Sequence, residues 1–226
     1  MTRFPTGHKV PKFTVFASLL RMAAKYGFPD VREQLAKDIR GAYPTKWEDF
    51  EAARVLGEDI FGSPKPHPIA VLNLLLEHNI RFALPFAAYR ACIGGFPALV
   101  SDEPGMVPPR LALASIIHGM GVLKSISTVA SYDVLHLRCS VCPDRSCALS
   151  VGLKRTTERA EALRKVFLVM IKGGGHGVDI LSPLSLGTIV CVGCARAREK
   201  GHLGFRKEHI WAKLPGLLNW ESWEGV

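Results

Sequence analysis

Apolar residues recur at helical spacing through the first half of the chain. Phe13, Phe16, Leu19, Leu20, Ala23 and Ala24 form one stripe over Phe13–Tyr26, and Gly27 ends it. Val31, Leu35 and Ile39 predict a second helix over 31–42, with Asp30 as its cap and Glu33 and Lys37 paired one turn apart. Tyr43-Pro44-Thr45 breaks the chain, and Thr45 can cap a third helix from residue 47 to about residue 61. The run 62–66 (Gly-Ser-Pro-Lys-Pro) reads as a turn. Ile69, Leu72, Leu75 and Leu76 then predict a helix over 68–78, and a short helical stretch from Pro85 runs to Cys92.

Three glycines and four prolines fall within 94–109, which predicts a loop and a boundary between two lobes. Leu111, Leu113, Ala114 and Ile117 mark a helix over 110–123. Residues 125–137 are ambiguous and could hold a short strand. Leu163, Val166, Phe167 and Met170 mark a long helix over 153–172, ended by the glycine-rich run 173–177. A last helix starts at Cys191 or Cys194 and runs to Lys213. The expected fold is mainly α, a helical bundle with a short N-terminal segment (1–12), a helical lobe (13–93), the loop (94–109) and a cysteine-containing lobe (110–226).

Five of the six cysteines fall in two clusters, Cys139, Cys142 and Cys147, then Cys191 and Cys194. Zinc takes four soft ligands in a tetrahedron, and a Cys-x2-Cys turn delivers two of them. The spacing predicts a structural zinc joining the two clusters across the 153–172 helix. Cys191 and Cys194 supply one pair. Cys139, Cys142 and Cys147 compete for the other, with His176, His202 and His209 as substitutes. The opening of a helix and the neighbouring Arg145, Arg196 and Arg198 favour thiolate charge there. Cys92, on an apolar helix, is expected to pack as a small hydrophobe.

The net charge is +9, concentrated between Arg138 and Lys213, where 14 Lys and Arg stand against 6 Asp and Glu. Arg196, Arg198, Lys200, Arg206 and Lys207 could therefore contact phosphates in a nucleic-acid-binding protein. The basic residues are spread along the segment without interleaved aromatics, so a solvated helix surface is the preferred reading. Catalytic signatures are missing. The run 173–177 lacks the Gly-Lys-Ser/Thr of a phosphate-binding loop, and Asp102-Glu103 reads as a solvated turn. No apolar run approaches the roughly 18 residues of a membrane span, and residues 1–12 have no secretory h-region. An intracellular, non-catalytic protein in the cytoplasm or nucleus is expected, with a protein partner and no membrane.

Several segments in order resemble a known family. Phe13–Tyr26, containing Leu19-Leu20-Arg21 and Lys25-Tyr26, resembles the "LLR…KY" helix that follows the BTB/POZ core in many proteins of mushroom-type fungi. Val31-Arg32, Tyr43-Pro44, Cys147-Ala148-Leu149 and the Cys191–Cys194 pair fit the same order. The ending Ile210-Trp211-Ala212-Lys213-Leu214-Pro215 is similar to its "FW-x-KLP" tail, with Trp220 or Trp223 near the last family tryptophan. This resemblance implies a post-BTB helical region, serving as a protein-interaction or adaptor module. The BTB core that would precede Phe13 is not in the sequence. Its dimerisation and cullin binding are therefore not expected here.

Overall fold

The computed structural model describes residues 12–56, 61, 65–100, 106–136, 179–181, 192–220 and 222–223. They are mainly helical, and no strand occurs among them. The chain divides into two compact units, Met1–Ile117 with Leu214–Val226, and His118–Lys213.

The first unit opens with α1 (Phe13–Tyr26). Gly27 ends it in the left-handed conformation, φ 67 and ψ 44. The Phe28 amide closes the turn by donating to the Ala23 carbonyl at 2.9 Å, as in a Schellman end. Pro29, pre-set for a first helical turn, starts α2 (Pro29–Ala42) two residues ahead of the expected start; Asp30 lies inside the first turn. Next come α3 (Trp47–Leu56) and α4 (Pro68–Glu77). At the start of α4 the His67 ring nitrogen Nδ1 accepts from the Ile69 amide at 3.3 Å. Ile69, Val71, Leu72, Leu74 and Leu75 of α4 are all buried. A one-sided stripe was expected, but α4 is covered nearly all round and forms the centre of the unit.

A 3-10 turn, Arg81–Ala83, leads into α5 (Leu84–Leu99). Ala87, Ala88 and Ala91 are buried along α5, and their small side chains let it lie close against α4. Around Phe86 the aromatic rings of Tyr43 (5.9 Å), Phe50 (5.6 Å) and Tyr89 (6.1 Å) gather into a cluster that fastens α3 to α5. Phe61 does the same for α1, with its ring 5.2 Å from Phe13 and 5.3 Å from Phe16.

The expected loop over 94–109 is helical as far as Leu99. Gly95, at φ 66 and ψ −167, absorbs the break as a kink inside α5. Then α6 runs from Arg110 to His136 with Ala112, Ile116 and Leu123 buried, so the ambiguous stretch 125–137 is helix up to residue 136. The boundary between the two units falls within α6, between Ile117 and His118. In the second unit α7 (Val192–Phe205) passes into a π-helical stretch, Arg206–Trp211. The short α8 (Leu214–Leu217) returns to α5 in the first unit, with Leu214, Pro215 and Leu218 buried.

Candidate functional site

Helix α1 carries two apolar faces. Phe16, Ala17, Leu20 and Ala23 face the core and are buried. Val15, Leu19, Met22 and Tyr26 are 50%, 41%, 53% and 59% exposed. Their spacing of four, three and four residues keeps them in one narrow line along the helix. Leu19 and Ala24, members of the single apolar stripe expected over this helix, are both exposed. The apolar line continues past Gly27 to Phe28, 54% exposed, whose ring lies 6.4 Å from that of Tyr26.

Two contacts from neighbouring helices reach the end of α4. The Arg21 guanidinium donates from Nε and Nη2 to the Glu77 carboxylate, at 2.9 and 2.8 Å for the shorter pairs. Arg32 of α2 donates to the His78 carbonyl at 3.3 Å, satisfying a backbone group at the α4 end. The hydrogen bond from Arg21 holds the Glu77 carboxyl below its usual range. His78 is buried, and desolvation lowers its pKa despite the neighbouring Glu77. The outer face of α1 is positioned chiefly by its buried inner face, Phe16, Ala17, Leu20 and Ala23, with the ties to Glu77 and His78 as minor additions.

The charge on α1 has one sign. Arg21 and Lys25 are its ionic residues, Lys12 precedes it, and it contains no Asp or Glu. Lys25 leans over the Tyr26 ring, its Nζ 5.4 Å from the centroid.

Of the expected zinc ligands, Cys139, Cys142, Cys147 and Cys191 lie outside the described residues. Cys194 is buried in the first turn of α7. Among the described residues no group of three or more His, Cys, Asp or Glu is arranged to hold a metal. Cys92 is buried as expected. Its thiol donates to the Ile116 carbonyl at 3.4 Å, and burial pushes it up to about 12.

Arg196 and Lys200 are exposed one turn apart on α7, and Lys207 is exposed in the π-helical stretch. The side chain of Arg198 lies outside the described set. Arg206 departs from its expected role. It is 2% exposed, and its Nη1 donates to the Leu181 carbonyl at 2.6 Å, so it fastens the second unit internally and is not a surface contact for phosphate. Exposed Glu199 and Glu208 sit beside the remaining cations and dilute their charge. His202, stacked on Phe205 at 6.5 Å, has its pKa lowered to about 4 by burial and by the Arg206 charge.

A concavity of about 570 Å³ in the first unit is lined by Leu76, Leu84, Leu111 and Trp220, with Arg81 at its polar side. Among the described residues its lining is apolar and neutral polar apart from Arg81. The sequence signal for the outer α1 face was present but ambiguous, because apolar spacing does not say which of two apolar faces packing will cover.

The chain matches no family model, no curated protein and no solved structure.

Proposed function

We propose that this chain is a non-catalytic protein-interaction module, in line with its resemblance to the post-BTB region of fungal BTB proteins. The observation that carries the reading is the exposed line Val15, Leu19, Met22 and Tyr26 on α1. Large apolar side chains in one continuous row are a cost in water and a resource at an interface. Complete burial of one Leu or Met side chain recovers about 1.5–3 kcal/mol. Burial of Phe16, Leu20 and Ala23 on the inner face of α1 keeps the row pre-organised, so docking need not order it first. A structural zinc held by the two cysteine clusters belongs to the same reading, as folding energy for the second half of the chain.

The test is partner capture from cells with the full chain and with Leu19→Asp. Unchanged circular dichroism and melting would show the variant folded. Loss of the captured partners in the variant supports the reading, and an unchanged set of partners rejects it.

A further inference from the structure

We infer that the outer face of α1 is a seam for one amphipathic helix with acidic flanks, supplied by a partner protein. The inference rests on the interaction-module reading and adds the chemistry of the partner.

Spacing selects a helix. Val15, Leu19, Met22 and Tyr26 follow the alternating four-and-three intervals of a coiled-coil seam, where side chains of one helix fill gaps between those of another. From Val15 to Tyr26 the row is about 16 Å long at 1.5 Å per residue, so it takes about three turns of partner helix. Phe28 closes the far end of the row beside Tyr26.

Charge selects the partner's flanks. On the solvent side of the row stand Ser18, Arg21 and Lys25; on the other side α1 turns into the core through Phe16, Leu20 and Ala23. Arg21 is engaged with Glu77. That leaves Lys25, at the Tyr26 end, as the α1 cation best placed to receive a carboxylate from a helix lying in the seam.

The same two features count against other occupants. A second copy would bring α1 against α1. With no acidic residue on either helix, and Arg21 already paired with Glu77, that pairing offers Lys25 no carboxylate along the seam. A helix lying in a membrane surface needs polar residues on both sides of its apolar face, whereas one side of this row is already built into the core.

The probe is a synthetic acidic amphipathic peptide of about 18 residues, long enough to sample helix, with Leu at three-and-four spacing and Glu at the flanks. Its control has Lys in place of Glu. Binding to the full chain is followed by fluorescence anisotropy and by backbone amide shifts. The acidic peptide is expected to bind, to shift residues 15–28, and to weaken with added salt. Lys25→Glu is expected to reverse the preference between the two peptides, and Leu19→Asp to weaken binding by more than about tenfold.

Equal binding of both peptides, shifts centred elsewhere, or indifference to Lys25→Glu would overturn the inference. So would a dimer in sedimentation that Leu19→Asp dissolves, or binding to phosphatidylserine vesicles that the same change abolishes. If cellular partners depend on Leu19 and the acidic peptide does not bind, the inference fails while the interaction-module reading survives. If the partners ignore Leu19, the reading itself fails.

Discussion

Arg21 and Glu77 join the outer helix α1 to the central helix α4 through a forked contact, with Nε and Nη2 of one guanidinium both reaching a single carboxylate. The two side chains are about half exposed, at 55% and 45%. Water therefore screens the pair, and its coupling in a double-mutant cycle of Arg21→Ala and Glu77→Ala is expected to be at most about 1 kcal/mol. Urea unfolding at low and high salt checks this, with the coupling shrinking as salt rises. The Glu77 carboxyl is held below its usual range, so the unfolded chain binds the proton first as pH drops. The contribution is present above the ordinary Glu range and is lost as pH falls through the folded value.

Leu19 and Leu20 are neighbours in sequence with opposite surroundings, 41% and 0% exposed. Leu20→Ala should cost about 2–5 kcal/mol through lost packing and a cavity. Leu19→Ala should change stability by no more than about 0.5 kcal/mol. Chemical denaturation of the two variants checks the assignment of the two faces; equal costs would contradict it.

Gly27 sits at φ 67 with open space where a side chain would begin, so a substitution there meets strain but no clash. Gly27→Ala is expected to lower stability by about 1 kcal/mol, and Gly27→Asn by less, because asparagine tolerates the left-handed region. Thermal melting of both variants measures the order.

His202 gives the second unit an acid sensitivity. Its folded pKa is about 4, below the ordinary histidine value, and burial is the main cause. Between about pH 6.5 and 4 the unfolded chain binds a proton that the folded chain refuses, so stability falls with pH across that window. In His202→Leu that part of the slope disappears. Melting curves of both proteins from pH 7 to pH 4 read the difference, and parallel slopes would contradict it.

Zinc is testable directly. The purified chain is expected to carry about one zinc per molecule, and a chelator to lower its melting temperature. Cys191→Ser and Cys194→Ser should each lose metal. Metal analysis that finds no zinc, together with a melting curve indifferent to chelator, would remove it from the proposal.

Local chemistry made the α1–α2 turn readable in the sequence. Gly27 permits the left-handed end, and Pro29 is already shaped for the next helix. The longer-range decisions were less visible. Gly94, Gly95 and Pro97 read as a loop, yet the helix continues past a single kink at Gly95. The stretch 125–137 is ambiguous in sequence between helix and a short strand; its β-branched Ile126, Thr128, Val129 and Val134 suit either, and α6 carries on through them to His136. Leu19 belonged to the core by composition and lies outside it because α1 has more apolar surface than its neighbours cover. Arg206 looked like a surface cation, and only folding brings it to the Leu181 carbonyl. Of the five cysteines expected to compete for zinc, Cys194 alone lies among the described residues.

Cys92 makes the first unit its own reporter. A thiol buried between α5 and α6, with its pKa near 12, presents almost no thiolate to an alkylating reagent while the unit is closed. Modification must wait for a fluctuation that parts the two helices. In chain whose other five cysteines have been replaced, the labelling rate at saturating reagent becomes the opening rate of the unit, a clock read without any introduced probe.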